Sequence, residues 1–377
     1  MTRRSHLLVC VAFLLAIFVP FTAVVTGQTN PRTIENRPLT AFPRLTGRAL
    51  LHADTYSQLG AYIVDRIPWR DRAIAERERL SVALFTESAG DQVVVGHDGW
   101  LYLAENVRRA CYTADEIHQV ESDLAELSDL FARSGRQWRL LVPPQKETVY
   151  PGHLQARDRR DSCIAANSAA LQAATRGTNP GYSTVLSATR TDPGLYFPRD
   201  THWNDRGAII GAQDLVDSLL PGLFDDGAYT FSKEAISTGV GTDLLRSQGV
   251  SGTARVERAV ARRPGVEVTL TDVARSTPGV PVIHEQRSGG PLVPGRVLVL
   301  HDSFGRALAP LASPWFADVT WFTVNHGQTG GALGDAIGEA DTVVLVLTER
   351  HLVELLGELV DVVRAASAPA GGGHGAD

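Results

Sequence analysis

Asp200 and His202 stand two residues apart in the stretch YFPRDTHWNDRGAIIGAQDLV, Tyr196 to Val216, and Trp203 and Asn204 follow them directly. In extended backbone, residues i and i+2 point to the same side, so a carboxylate and an imidazole at this spacing face one cavity. They also reach each other. A carboxylate on one ring nitrogen fixes the tautomer of the histidine and leaves the other nitrogen to take a proton. An oriented imidazole needs a group to deprotonate, and the best candidate is Ser303 in VLVLHDSFGRAL, where an apolar run leads into His301-Asp302-Ser303 and then Phe304-Gly305. A serine at a sharp strand-to-helix turn exposes its hydroxyl at the C-terminal edge of a sheet. Backbone N–H groups of the following helix are placed there to stabilise an oxyanion. Together these residues read as a triad: Ser303 the nucleophile, His202 the general base and then acid, Asp200 the orienting carboxylate. Acid–base help of this kind is typically worth about 10² to 10⁴ in rate.

Blander readings stand beside this one. Asp302 or Ser303 can act simply as a helix cap. Asp200, His202, His301 and Asp302 also form a chemically reasonable set of metal ligands, although no H-E-x-x-H or clustered histidine motif accompanies them. The triad reading needs no metal and no cofactor. Trp203, Lys146 and Tyr150 are the candidate substrate-binding residues. The first follows the histidine, and the other two lie near a strand end. Each has a packing role as its alternative.

The elements that must position these groups are visible as apolar runs. VVVG (Val93 to Gly96), WRLLVPP (Trp138 to Pro144), RVLVLHDS (Arg296 to Ser303) and DTVVLVLTE (Asp341 to Glu349) read as buried strands. Between them lie helix-like segments at Ala114 to Ser134, Ser162 to Thr175, Asn204 to Leu220 and Leu352 to Ala366. Asn204 is a good N-cap for the third. Leu50 to about Leu84 also carries helical periodicity. Strands alternating with helices predict an α/β fold with a mostly parallel sheet. Within GHDGW, Gly96 to Trp100 read as a tight turn between strands, with glycine supplying positive φ. Residues 221–290 break the rhythm and read as an irregular insertion with one strand-like piece, VEVTLTDV. The tail 367–377 is glycine-rich and expected to be disordered.

The 377 residues, 44% hydrophobic, suffice for a large core, and a net charge of −6 without a basic run disfavours a nucleic-acid partner. At the N-terminus, Leu7 to Val25 is a run of uncharged residues behind Arg3 and Arg4. It is long enough to span a bilayer, which predicts a signal anchor over 1–27 with the N-terminus in the cytoplasm. A polar tether (28–40) and the main domain (41–366) then lie outside. A cleaved signal peptide is the alternative, and both readings export the protein. Cys111 and Cys163 are left in an oxidising compartment, either bridged or as free thiols.

DTHWND followed by HDSFG resembles the alginate O-acetyltransferase family, SGNH-like proteins that acetylate exopolysaccharides outside the cytoplasmic membrane. Colinear segments add to the likeness: IENRPLTAFP, YIVDRIPWRDRAI, VVVGHDGWLYL, VPPQKETVYP and TERHL, spanning Ile34 to Leu352. The resemblance implies a three-layer α/β/α SGNH-hydrolase-like domain and carries the triad onto Asp200, His202 and Ser303. It also implies a polysaccharide acceptor, and an acetyl donor reached through a membrane-bound O-acyltransferase. One departure stands at the nucleophile, where His301 replaces the family's usual Gly before Asp-Ser. An esterase built on the same triad and a non-catalytic envelope scaffold are the rival functions.

Overall fold

The computed structural model describes residues 39–367 apart from 68, 179, 190, 191, 193, 237–240, 278, 279 and 328–330, with scattered positions between 6 and 26. Its centre is a seven-stranded sheet. The strands are β3 (Gln137–Val142), β4 (Pro180–Tyr182), β7 (Glu267–Thr277), β8 (Val280–Ser288), β9 (Val293–His301), β10 (Phe316–Thr323) and β11 (Thr342–Val346). Their order is β4-β3-β11-β9-β10-β8-β7. The first five are parallel, and β8 and β7 extend the sheet antiparallel. The fold is therefore mixed α/β with a mostly parallel sheet.

The Val/Leu runs are continuous because both faces of the central strands are covered. Leu141, Val297, Val299, Val344 and Val346 pack on one side with the helices Asp205–Leu219 and Gly305–Ala312. Leu140, Val142, Leu298, Leu300, Val343 and Leu345 pack on the other with Ala114–Arg133, Gly331–Glu339 and Leu356–Ser367. The period of two thus divides each strand between two cores and gives three layers. Thr113 opens the Ala114–Arg133 helix with a capping box to Glu116. Asn204 caps Asp205–Leu219 as its residue type predicts, accepting from the Arg206 and Gly207 N–H groups.

Residues 221–290 depart from the irregular insertion expected. They hold an antiparallel pair, β5 (Tyr229–Ile236) with β6 (Ala254–Ala261), and the hairpin β7–β8 that widens the main sheet. These strands carry polar and charged residues on solvent-facing positions, so they lack the apolar run that marks a strand buried on both faces. The turn at GHDGW is as expected: β1 (Val93–Val95) and β2 (Leu101–Leu103) form a hairpin, with Asp98 and Gly99 at positive φ. Only scattered residues of the apolar segment Leu7 to Val25 are described, and most of the tether and most of the tail lie outside the described residues. Among those described, no helix is long and apolar enough to cross a membrane.

Cys111 and Cys163 form a disulfide, with Cα atoms 5.0 Å apart and a sequence separation of 52. Asn167 reinforces the junction, accepting from the Tyr112 N–H and donating to the Ala110 carbonyl. Reducing the bridge, or Cys163→Ser, is expected to lower stability by about 2–5 kcal/mol in urea unfolding. Unchanged midpoints would show that the bridge adds nothing to these side-chain contacts.

Candidate active site

The Asp-x-His stretch is a turn rather than the extended segment its spacing suggests. A bridge between Tyr196 and Trp203 closes it, and the Phe197 N–H bonds the His202 carbonyl at 3.2 Å. Asp200 and His202 therefore meet by curling around one another. Two features hold the turn. Beneath it, Lys146 is wholly buried, and its Nζ donates to the carbonyls of Phe197 (3.3 Å), Pro198 (3.2 Å) and Asp200 (2.6 Å). Burial pulls this ammonium down to about 8, against the opposing pull of Asp243, Glu147 and Asp200. Beside it runs the helix Asp205–Leu219. A Cβ at Gly207 would lie 2.4 Å from the Leu195 carbonyl oxygen, and one at Gly211 2.6 Å from the Trp203 ring. Only glycine lets the helix press this close to the loop.

His202 Nδ1 sits 2.7 Å from Asp200 Oδ1, and the His202 backbone N–H donates to the same oxygen at 3.0 Å. Burial raises the Asp200 carboxyl, but its bonds to His202 and the Asp243 N–H outweigh that and hold it at about 2. Burial alone would lower His202. Hydrogen bonds and charge from Asp200 and Asp243 reverse this and raise it to about 9. The far nitrogen, Nε2, is buried and has no hydrogen-bond partner among the described residues.

Ser303 follows β9 and is half-buried, one residue beyond a pinned carboxylate. Asp302 is buried and accepts from the Phe304 N–H (2.9 Å), the Thr348 N–H (2.8 Å), the Thr348 hydroxyl (2.8 Å) and His351 Nδ1 (2.7 Å). Arg350 Nε donates to His351 Nε2, so the proton of that ring is on Nδ1, pointing at Asp302. Asp302 is thus a brace joining the end of β9 to the end of β11. These bonds hold it at about 2 although burial raises it. The expectation that the helix after Ser303 offers free N–H groups needs correcting. Phe304 N–H is spent on Asp302, and the Gly305 and Arg306 N–H groups bond the Asp302 and Ser303 carbonyls. The Ser303 N–H is the one without a partner among the described residues of this turn.

The two limbs meet at one cavity of about 520 Å³, lined by Asp200, His202, Asp243 and Ser303, with Arg246 and Arg306 among the cations at its wall. The other candidates lie differently. Trp203 is fully buried, donating from Nε1 to the Phe304 carbonyl. Tyr150 is buried, and its hydroxyl accepts from the Leu195 N–H. Lys146 has its hydrogen bonds directed at backbone. Lys146 and Tyr150 are not at the cavity wall and are corrected from substrate contacts to supports, whereas Trp203 lines the cavity and supports the framework as well. The metal set also fails to assemble. His301 turns from the cavity, with Nδ1 on the Asp302 carbonyl and its ring so close under Gly305 that a Cβ there would lie 2.2 Å away. Asp200, His202 and Asp243 do converge within 4.8 Å. A cation on Nδ1, however, would displace the bond to Asp200. Asp243 was missed in the sequence because it lies 41 residues beyond His202 in sequence, inside the region read as irregular. Its only signal was the short motif GVGTDLL.

Lys146→Met keeps the bulk of the side chain and leaves the Asp200 carbonyl with no donor among the described residues, while Pro198 keeps the Leu101 N–H and Phe197 the long bond from the Asp200 N–H. Each buried unsatisfied group costs about 1–3 kcal/mol, and the Asp200 turn should loosen. The expected result is a lower melting temperature together with a loss of activity. Full activity in a stable variant would show that the clamp is dispensable.

Residues 93–268 match the family described as the SGNH hydrolase-like domain of the acetyltransferase AlgX. No curated protein sequence matches the chain. Among solved structures, PatB1 of Bacillus cereus is similar at 15% identity and a TM-score of 0.53, over 70% of this chain and 97% of that one. PatB1 with a sulfonyl adduct gives 15%, 0.52, 69% and 97%. The O-acetyltransferase domain of Pseudomonas putida AlgJ gives 19% and 0.45, over 73% and 99%. Residues 93–268 are thus similar to the SGNH hydrolase-like domain of the acetyltransferase AlgX, and the likeness to PatB1 is one of fold.

Proposed function

We propose that this chain transfers an acetyl group to hydroxyls of an extracytoplasmic polysaccharide through an acetyl-enzyme on Ser303. The observation that carries the reading is the unpartnered Nε2 of His202, in the cavity that also holds Ser303. The family match supports it and includes Asp200 and His202, although it ends before Ser303.

In the first half-reaction the Ser303 Oγ attacks the acetyl carbonyl carbon of the donor ester, and its proton passes to His202 Nε2. The donor's ester bond breaks, and its oxygen leaves with that proton. In the second, a sugar hydroxyl gives its proton to Nε2 and attacks the acetyl-Ser303 ester. Oγ departs and regains the proton. Asp200 holds the imidazolium formed at each stage. The Ser303 N–H is free to bond the developing oxyanion. The uncharged run Leu7 to Val25 supports an anchor that places this domain outside the cytoplasmic membrane. The disulfide suits that compartment. A membrane-bound O-acyltransferase is the donor's proposed source.

Hydrolysis is the second reading. Water and a sugar hydroxyl are both acceptors for the same acetyl-enzyme, and the His202 side chain is 26% exposed although its Nε2 is buried. Partition separates the two: with an acetyl ester donor, added glycan should divert acetyl from acetate to product. Ser303→Ala and His202→Ala should each lower transfer on the order of 10⁴-fold. Acetate release untouched by any glycan would favour the esterase, and full activity in Ser303→Ala would remove this nucleophile.

The raised His202 sets a pH profile. Only the neutral ring accepts a proton, so kcat/KM should rise about tenfold per pH unit until it levels near the histidine's value of about 9. A profile flat through the neutral range would contradict His202 as the base.

A further inference from the structure

Asp200 is not the only carboxylate on the His202 ring. Asp243 begins the short helix Asp243–Ser247, and its Oδ2 lies 3.3 Å from His202 Nδ1. The two acids are bound into one unit. The Asp243 N–H donates to Asp200 Oδ2 at 3.1 Å, and the Thr201 N–H donates to Asp243 Oδ1 at 2.8 Å. The Thr201 hydroxyl donates to Asp243 Oδ2 and stands 3.0 Å from His202 Nδ1. One ring nitrogen thus faces two carboxylates and a bridging hydroxyl, while Asp243 itself stays partly exposed at the cavity wall. A plain orienting role requires one carboxylate, and Asp200 already fills it.

Resting on the proposed role of His202, we infer that Asp243 is a second positioning carboxylate for the ring, which stabilises the imidazolium formed when Ser303 loses its proton. The groups facing His202 fit this sign. Asp200 is on its own turn, Asp243 and Arg246 on the short helix, and Arg258 on β6. Arg306 comes from the helix after Ser303 and Arg350 from the short helix Glu349–Glu354 that follows β11. Arg258 is engaged with Asp205, and Arg350 Nε with His351. The arginines stand at the cavity wall, while the two carboxylates are the charged groups in direct reach of the ring.

The inference gives Asp243→Asn two effects of opposite sense. Losing a negative charge makes the imidazolium easier to deprotonate. The rising limb of kcat/KM should therefore move to lower pH by about one unit or more. The plateau kcat should fall about tenfold or more, because the charge formed in the transition state loses its partner. Asp243→Glu, which keeps the charge, should restore the limb toward its original position. The measurement is the pH dependence of acetyl transfer by the full chain, beside histidine ¹H–¹⁵N spectra in which His202 is assigned by its loss in His202→Gln. A limb and a His202 titration that stay in place while activity drops would overturn the inference and reduce Asp243 to a brace for the Thr201 turn. If Asp243→Asn does not fold, Asp200→Asn serves. With Asp243 still present, His202 should keep a titration above the ordinary histidine range, and a fall to or below that range would overturn the inference. The His202 titration does not depend on which group is the nucleophile. Failure of the Ser303 reading, seen as transfer surviving in Ser303→Ala, is therefore distinguishable from failure here.

Discussion

A buried charge persists only if it is paired or saturated with hydrogen bonds, and this constraint organises the C-terminal edge of the sheet. Three such groups hold the edge together. Asp302 joins the ends of β9 and β11 through four donors. Glu349 accepts from the Gln145 N–H, the Thr148 hydroxyl and the Tyr182 hydroxyl, tying the segment after β11 to those after β3 and on β4. Lys146 threads beneath the Asp200 turn and donates to three of its carbonyls, of which that of Asp200 has no other donor among the described residues. Each charge replaces backbone–backbone pairing where the strands have ended and the chain must turn. The site is rigid because removing any one of these charges leaves a buried polar group unsatisfied.

The reactive groups sit where an open parallel sheet makes room for them, outside the carboxyl ends of its strands. Ser303 comes from the end of β9, the central strand, and His202 from a loop pressed down by the glycine face of the Asp205–Leu219 helix. His301 shows how much the packing below matters. Its ring fills the space under Gly305 instead of entering the cavity, so the bulky residue before Asp302 shapes the turn from beneath.

Much of this was legible from residue types. The Val and Leu runs marked four strands because both faces of those strands are buried. Asn204 marked a helix start, and Asp200, His202 and Ser303 marked the groups that the fold gathers at one cavity. The rest depends on approach in space. Lys146 reads as a candidate substrate contact near a strand end until its partners are known to be carbonyls more than fifty residues away. Asp243 reads as one acid among many until the Thr201 turn is folded against it. The hairpin β7–β8 has a solvent-facing side that dilutes its apolar signal, and β10 is short of the continuous Val/Leu run that marks its neighbours. Trp203 and Tyr150 could be read as packing or as substrate contacts because aromatic rings serve both purposes; both are buried, and Trp203 also lines the cavity.

The central claim is that Ser303 carries the acetyl group. The full chain would be exposed briefly to an activated acetyl ester, quenched in acid, and its intact mass and peptide map compared with those of Ser303→Ala treated in parallel. The account predicts one added acetyl group on the peptide containing Ser303, absent from Ser303→Ala. An acetyl group on another residue in both proteins, or turnover with no protein-bound acetyl at any time, would contradict it.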